Sequence, residues 1–210
     1  MPGDGFPSAP AQKGTLMPRI LTEYRDEVCK KIVGEAYALF LNKGYHGTTM
    51  GEIAERLGVT KPALYQYFPG KEDLYAAVAE HGREELAGIL DRSYASGDLL
   101  DGSAALFDSL VKYVPQFNGM YAELMLLSAH NSGIRDLLVR DRAEDLRVIE
   151  QFIAGQQKRG MVSPNLDTRV LALACDALIN GLLTDIKMGL DQEEAKKTWL
   201  VAVSQLIRID

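Results

Sequence analysis

Apolar residues recur at helical spacing along most of this chain beyond residue 18. The clearest stripe lies on a first helix predicted over residues 23–43, capped by Thr22, and consists of Val28, Cys29, Ile32, Ala36, Leu39 and Phe40. No alternating apolar and polar pattern of useful strand length occurs. The pattern therefore predicts an all-α protein of about nine helices.

Turn-forming and capping residues set the boundaries of the next helices. Gly44 follows the first helix as a left-handed stop. Thr49 and Glu52 fit a capping box, in which the hydroxyl and the carboxylate satisfy each other's backbone N–H groups. Gly58 ends the second helix, and Thr60 caps a short third one. The second helix and those after the third are predicted at residues 50–57, 71–93, 102–117, 119–131, 134–160, 167–189 and 192–208.

The segment from Thr48 to Leu74 meets the requirements of a helix-turn-helix. Ala54 supplies the small residue where the two helices cross, and Gly58 makes the turn. Apolar residues on both helices pin them together: Ile53, Leu57, Val59 and Leu64. The outer side of the short third helix is small, polar and aromatic: Lys61, Ala63, Tyr65, Gln66 and Tyr67. An ordinary helical hairpin would not require such a face, which predicts a helix that reads the major groove of DNA.

The formal net charge of −6 is unevenly distributed along the chain. Residues 19–75 hold eight basic and eight acidic residues, whereas residues 76–210 hold 14 basic and 20 acidic ones. The negative excess therefore lies outside the candidate DNA-reading segment. We expect this segment to bind DNA through a few placed contacts, because a neutral segment offers no broad basic field.

The stretch GYHGTTMGEIAERLGVTKPALYQYFPGKEDL resembles the DNA-binding domain of the TetR family of transcriptional regulators, and LYQYFPGKEDL is its most specific part. The resemblance covers Thr22 to Leu74, with one departure at Gly70, where the family often has a Ser or Asn cap. It implies a helix-turn-helix DNA-binding domain over residues 19–75. A helical effector-binding and dimerisation domain is expected over residues 76–210. Residues 1–18 are rich in proline and glycine, which predicts a disordered arm.

The resemblance implies DNA contacts at the start of the second helix, on the third helix and at the start of the fourth. Thr49 would contact phosphate, while Lys61 and Ala63 would meet base edges. Lys71 would add its charge to the helix dipole at a phosphate. Tyr67 has an alternative role, which is to pack against the first helix. The full predicted set is Thr49, Thr60, Lys61, Ala63, Tyr65, Gln66, Tyr67 and Lys71.

The helix predicted over residues 167–189 is apolar nearly all round between Val170 and Leu183, which predicts burial on more than one side. The resemblance implies a homodimer through the last two helices. Two-fold symmetry then requires a palindromic operator, since each subunit reads one half-site. The predicted interface residues are Leu178, Gly181, Leu182, Trp199, Val203 and Leu206.

The same carboxy-terminal region is expected to contain the effector pocket. Its candidate lining residues are Phe107, Tyr113, Phe117, Tyr121, Met125 and Phe152. The preponderance of Leu, Met and Ala suggests a small apolar effector. Asp176, Asn180 and Asp185 are polar positions within the most apolar helix. They either line a cavity or form caps and hydrogen bonds between subunits.

These observations predict a ligand-responsive transcriptional regulator, a repressor released from DNA by its effector. The first twenty residues lack the basic start and apolar core of a secretory signal, and no apolar run approaches the length of a membrane span. The two cysteines, Cys29 and Cys175, lie inside apolar helical patterns, so we expect a reduced, cytoplasmic protein.

Enzymatic and purely architectural functions are the alternatives. His46, His81 and His130 stand far apart, and neither a phosphate-binding glycine loop nor a nucleophile elbow is present. We therefore expect no catalytic site, no cofactor and no metal. A protein that keeps the fold but binds a protein partner, or that spreads along DNA to organise chromosomes, remains an alternative to a local repressor.

Overall fold

The computed structural model describes the backbone of residues 17–207 and the side chains of residues 23–112 and 120–207. The backbone so described contains helices and no strand, which confirms the all-α class. Residues 1–16 of the predicted arm lie outside the described residues. The helices are α1 (Met17–Gly47), α2 (Met50–Arg56), α3 (Lys61–Tyr65), α4 (Lys71–Ser93), α5 (Leu99–Ser128), α6 (Ser132–Lys158), α7 (Thr168–Lys187) and α8 (Gln192–Leu206).

Two predicted helix boundaries are wrong, although α4 has the predicted limits. The first helix begins at Met17, so Thr22 lies inside α1 and is not its cap. The predicted break between residues 117 and 119 is absent, because α5 continues from Leu99 to Ser128. Pro115 lies within α5. A proline removes one backbone hydrogen bond of a helix, but it does not by itself end the helix.

The chain divides into two compact units. The amino-terminal unit comprises Met1–His81 and Ala122–Leu137, and the carboxy-terminal unit comprises Gly82–Tyr121 and Leu138–Asp210. The predicted domain boundary near residue 75 divides the chain into two continuous segments. In the structure, the chain enters the amino-terminal unit a second time at Ala122–Leu137. The helices α4, α5 and α6 each contribute residues to both units.

The core of the amino-terminal unit is built on the apolar stripe of α1. Val28, Ile32, Ala36, Leu39 and Phe40 are all buried, as their helical spacing predicts, and Cys29 is half-buried. The buried side chains of the following helices are Ile53, Ala54, Leu57, Leu64, Leu74, Tyr75 and Val78. Burial of each large apolar side chain contributes about 1.5–3 kcal/mol. Helix α2 packs against both α1 and α3. This core therefore fixes the position of α3 relative to the two preceding helices.

In the carboxy-terminal unit, α7 packs against α8 around one large apolar cluster. Trp199 is 3% exposed, and its Nε1–H donates a hydrogen bond to the carbonyl oxygen of Ser103 at 2.9 Å. Phe107 is fully buried in the same cluster. Among the helices of residues 17–207, none combines the length and the apolar character needed to cross a bilayer.

Two groups of charged side chains lie within the carboxy-terminal unit. Buried Asp176 of α7 pairs with Arg142 of α6 and also accepts a hydrogen bond from Asn180 Nδ2 at 3.1 Å. Both of these partners belong to its own chain, and Asp176 does not line the cavity described below. In the second group, Arg83 pairs with Asp141 and lies 3.5 Å from Asp145.

Candidate functional site

The start of α2 is set by Thr49, which caps the helix. Its Oγ1 accepts a hydrogen bond from the backbone N–H of Glu52 at 3.2 Å, as the predicted capping box requires. The second half of the box is not formed as predicted, since the Glu52 carboxylate pairs with Lys43 instead. A lysine ammonium at the end of α1 competes with the backbone N–H for the same carboxylate, and charge assistance favours the lysine.

The turn between α2 and α3 has the geometry of a helix-turn-helix. Gly58 has a φ of +68°, a left-handed conformation that side-chain-bearing residues rarely adopt. Val59 donates from its backbone N–H to the carbonyl oxygen of Ala54 at 2.9 Å, which closes the turn. Thr60 then caps α3, with its Oγ1 accepting a hydrogen bond from Ala63 N–H at 3.3 Å. The turn glycine and both caps are therefore where the sequence placed them.

Fully buried Leu64 anchors α3, and the remaining side chains of this helix point outward to different degrees. Lys61, Tyr65 and Gln66 are exposed, whereas Ala63 is half-buried. The Lys61 ammonium lies 5.8 Å from the centroid of the Tyr65 ring, a cation–π contact on the surface. The structure thus brings a cation, an aromatic hydroxyl and an amide together on the outer face of α3, the side chain types that contact bases and phosphates.

Tyr67 has a different environment from Tyr65. It is half-buried, and burial raises the pKa of its hydroxyl, with Tyr24 and Cys29 of α1 adding to the rise. These neighbours favour the alternative role, in which Tyr67 packs against the first helix. A DNA contact by its hydroxyl stays a prediction.

Lys71 holds the segment from Tyr45 to Thr48, which follows the non-helical Gly44 near the end of α1 and leads into α2; we call this segment the loop before α2. Its ammonium donates hydrogen bonds to the carbonyl oxygens of Tyr45 at 2.8 Å and Thr48 at 3.0 Å, and it lies 4.2 Å from the centroid of the Tyr45 ring. Burial lowers the pKa of Lys71 from its ordinary value. An ammonium has three donors, so two are engaged within the protein and one is left for the predicted phosphate contact.

Glu123 of α5 binds the backbone N–H groups of the same loop with a negative charge. Its carboxylate accepts hydrogen bonds from the backbone N–H groups of Tyr45 at 2.9 Å and His46 at 2.6 Å. Gly44, with a φ of +77°, permits this approach, since a Cβ there would lie 2.4 Å from a Glu123 oxygen. Sequence reasoning missed Glu123, because no local pattern connects residues 78 positions apart.

Three residues of the predicted dimer interface are buried in the chain's own core: Leu182, Trp199 and Val203. The contact of the predicted set with a second subunit stays a prediction. Helical periodicity identifies a helix that is apolar on several sides, but it does not distinguish the side facing its own core from the side left open. Of the other predicted residues, Leu178 and Leu206 are half-buried and Gly181 is exposed.

An exposed apolar stripe runs along one side of α7, and Gly181 is its one residue that also belongs to the predicted interface. We call Val170, Leu173, Ala177 and Gly181 the α7 stripe, since all four are exposed and follow at intervals of three and four residues. Val170 is 62% and Leu173 is 42% exposed. On α8, Val201 is also exposed. The apolar sequence of α7 indicates that the helix has more than one apolar side. It does not show which residues face the protein core and which are exposed.

A cavity of about 60 Å³ lies in the carboxy-terminal unit, lined by side chains from α4 to α8 and their connections. Phe152 is the predicted pocket residue that lines it. Phe107 does not line this cavity, and Tyr121 and Met125 are exposed on the surface. An effector contact at these three residues stays a prediction. Tyr113 and Phe117 lie outside the residues whose side chains are described. The lining residues are Leu90, Tyr94, Leu99, Leu106, Ile149, Phe152, Ile153, Gln156, Val162, Leu171, Cys175, Trp199, Val203 and Ile207.

This chain is similar to known proteins over the helix-turn-helix and over most of its length. Residues 32–78 match the family model described as bacterial regulatory proteins, tetR family. The chain is 26% identical over 167 residues to the transcriptional repressor ComR of Escherichia coli, which covers 76% of this chain and 80% of ComR. It is 37% identical over 84 residues to the transcriptional activator FasR of Mycolicibacterium smegmatis, covering 40% of this chain but only 36% of FasR.

The fold also has a known counterpart, which covers most of the chain. A TetR-family transcriptional regulator from Rhodococcus sp. superposes with a TM-score of 0.72 at 21% identity, covering 87% of this chain and all of that one. The curated relatives named above are transcriptional regulators.

Proposed function

We propose that this chain, whose residues 32–78 match the tetR family model, is a ligand-responsive transcriptional repressor of that family. It binds a palindromic operator as a homodimer, and a small molecule releases it. We place it in the cytoplasm. The outer face of α3 is the observation that carries the proposal, because Lys61, Tyr65 and Gln66 are exposed there. Fully buried Leu64 anchors the helix in the core.

The homodimer is proposed to form through the α7 stripe together with Val201 of α8. Exposed apolar side chains arranged along one helix favour burial against a partner, and exposed Gly181 permits the close approach of a second backbone. A two-fold axis between two copies of α7 makes the interface self-complementary. The two α3 helices then meet two half-sites of opposite orientation, which requires a palindrome.

The effector is proposed to bind in the cavity of the carboxy-terminal unit. With a volume of about 60 Å³, the cavity is smaller than an effector of ordinary size needs, so binding has to move its walls. An effector shifts the equilibrium between two arrangements only as far as its affinities for them differ. Since both half-sites must be engaged together, an arrangement that changes the spacing of the two α3 helices loses one half-site.

The test is selection of bound duplexes from a random DNA pool at near-physiological salt, with wild type and the Lys61→Ala variant side by side. We expect wild type to enrich a palindrome, with one position in each half-site losing its preference in the variant. Enrichment of unrelated sequences without a palindrome would instead favour an architectural protein. If no sequence is enriched, binding to a protein partner becomes the favoured function.

Regulation is tested on the selected operator by adding a small-molecule extract of cells. Loss of binding identifies a repressor released by its effector, and fractionation of the extract then isolates the molecule. Tighter binding would reverse the direction of regulation, so that the effector is a co-repressor or co-activator. Unchanged operator affinity with a saturating cavity ligand would contradict the proposed regulation.

A further inference from the structure

The cavity of the carboxy-terminal unit holds no formal charge on its walls. Its described lining contains no aspartate, glutamate, lysine, arginine or histidine. Cys175 is a neutral thiol at physiological pH, since burial raises its pKa to about 11. A charged molecule entering this space would leave water without meeting an opposite charge, which is strongly unfavourable. The walls therefore select a neutral molecule.

Two of the polar groups on the cavity wall already have partners within the protein. Ser103 Oγ donates to the carbonyl oxygen of Leu99 at 2.7 Å, which leaves it free to accept from the Tyr94 hydroxyl at 2.9 Å. The indole N–H of Trp199 donates to the carbonyl oxygen of Ser103 at 2.9 Å. Neither Tyr94 nor Trp199 therefore needs a hydrogen bond from a ligand.

Gln156 of α6 differs from these groups. Its side chain lines the cavity and is only 3% exposed, and its Oε1 is buried without a hydrogen-bond partner among the described residues. Its neighbour Gln157 shows the usual situation, because its Nε2 donates to the carbonyl oxygens of Ser163 at 2.9 Å and Leu166 at 2.8 Å. Few buried polar groups in native proteins lack a partner, so Gln156 requires an explanation.

We propose that the cavity binds a neutral, largely apolar molecule that carries one hydroxyl or amide N–H, and that this group donates a hydrogen bond to Oε1 of Gln156. The apolar body of the molecule packs against side chains such as Phe152 and Leu171. Gln156 is the specificity-determining residue, since it distinguishes molecules with one donor from hydrocarbons of the same shape. The inference rests on the proposed function in placing the effector in this cavity.

The experiment uses Trp199, which is the single tryptophan of the chain and lines the cavity. Its fluorescence reports occupancy of the cavity in the full chain without any DNA. The probes are cyclohexanol and methylcyclohexane, which differ by a hydroxyl in place of a methyl group, and the charged analogues cyclohexylammonium and cyclohexanecarboxylate. Each is titrated into wild type and into the Gln156→Leu variant, which keeps a side chain of similar size but removes the amide.

The measured quantity is the ratio of the dissociation constants of hydrocarbon and alcohol. We expect this ratio to favour the alcohol about tenfold more in wild type than in Gln156→Leu, the effect of one buried hydrogen bond. Both charged analogues should bind at least about tenfold more weakly than cyclohexanol. An equal ratio in the two proteins, charged analogues as tight as the alcohol, or no response to any probe would each overturn the inference.

A stability comparison separates this role from a structural one. Gln156→Leu should leave the midpoint of thermal unfolding unchanged or raise it, because no hydrogen bond of the empty protein is lost. Gln157→Leu is the matched control and should lower the midpoint, since two carbonyl oxygens lose their donor. If Gln156→Leu unfolds at a lower temperature than wild type, its amide has a partner within the protein and the inference fails.

The binding assay and the DNA assay fail independently. If cyclohexanol shows the expected dependence on Gln156 but leaves the selected operator bound, the cavity chemistry stands and the proposed regulation is wrong. If the operator is selected but no probe binds in the cavity, DNA recognition stands and the inferred ligand class is wrong.

Discussion

The carboxylate of Glu123 accepts a hydrogen bond from the backbone N–H of Tyr45 at 2.9 Å. It joins α5 to the loop that immediately precedes α2 and α3. On the carbonyl side of this loop, Lys71 donates to the backbone oxygens of Tyr45 and Thr48. An anion on the N–H groups and a cation on the C=O groups therefore hold the loop, and hydrogen bonds to charged groups are stronger than those between neutral ones.

Replacing Glu123 with Gln should loosen this loop. The amide keeps the size of the side chain but loses the charge that strengthens two backbone hydrogen bonds, and we expect a loss of stability of about 1–2 kcal/mol. Operator affinity should fall as well, because α2 and α3 follow the loop. Thermal unfolding and operator titration measure the two effects. Glu144→Gln is the control, since its pair with Arg147 is exposed, and a Glu123 variant as stable as that control would refute the role.

Gly44→Ala should destabilise the protein for two separate reasons. An alanine is strained at a φ of +77°, and its Cβ would lie 2.4 Å from the carboxylate of Glu123. We expect a loss of about 2 kcal/mol. Gly58→Ala offers a comparison, because its φ is also positive but nothing lies within 4 Å of the new Cβ. The loss should be smaller at Gly58, and equal losses would mean that the contact with Glu123 contributes nothing.

The two lysines of the DNA-reading region should behave differently when replaced. Lys61→Ala should lower affinity for the selected operator by about 1–3 kcal/mol and relax specificity at one base position per half-site, with unchanged stability. Lys71→Met should lower affinity for all sequences and also lower the unfolding midpoint, because the carbonyl oxygens of Tyr45 and Thr48 lose their donor. Binding titrations at several salt concentrations, combined with thermal unfolding, distinguish the two. A Lys71 variant of unchanged stability would count against its internal role.

The accuracy of sequence reasoning in this chain depends on whether an interaction is local. Thr49 and Thr60 cap helices that begin one residue later, and Gly44 and Gly58 have the positive φ that favours glycine. These features depend on neighbouring residues alone. The burial of Trp199 against Ser103 is not predictable in this way, because the direction in which an apolar helix faces is set by distant contacts.

The cavity shows the same limit. Phe152 was predicted from its aromatic character, but Gln156 was not, since a glutamine within a helix is ordinary until its surroundings are known. A buried amide without a partner is a property of the assembled fold. The sequence does not contain a local pattern that marks it.

Stability should depend on pH through Asp145. Burial and the neighbouring Asp141 raise its pKa from 3.8 to about 6, although Arg83 and Arg142 oppose the rise. A raised pKa means that the folded protein favours the protonated form, so this group lowers stability as pH increases from about 4 to 6. Asp145→Asn should therefore be more stable than wild type at neutral pH, by at most about 1 kcal/mol because the side chain is partly exposed.

The measurement for Asp145 is the unfolding midpoint of wild type and Asp145→Asn across the acidic range. The advantage of the variant should disappear as the pH falls below 4, where the wild-type carboxyl is protonated in both states. A constant difference between wild type and Asp145→Asn at every pH would contradict the assignment.

Replacements on α7 and α8 should separate assembly from folding. Leu173→Glu places a charge in the α7 stripe and should yield monomers that remain folded. Val139→Glu, at another exposed apolar position on α6, is the control and should stay dimeric. Trp199→Phe should keep the dimer but lower stability by about 1–2 kcal/mol, as the hydrogen bond to Ser103 is lost. Sedimentation velocity and thermal unfolding measure these outcomes, and a dimeric Leu173 variant would exclude this interface.

The short helix α3 has a consequence for how target choice can diverge among descendants of this chain. Within its five residues, only Leu64 is buried, while the helix is begun by a cap that lies outside it. Exchange of Lys61, Tyr65 or Gln66 would therefore alter which operator is read without disturbing the core. A duplicated copy could acquire a new set of target genes through two or three substitutions on one surface while it keeps the ancestral cavity and its response.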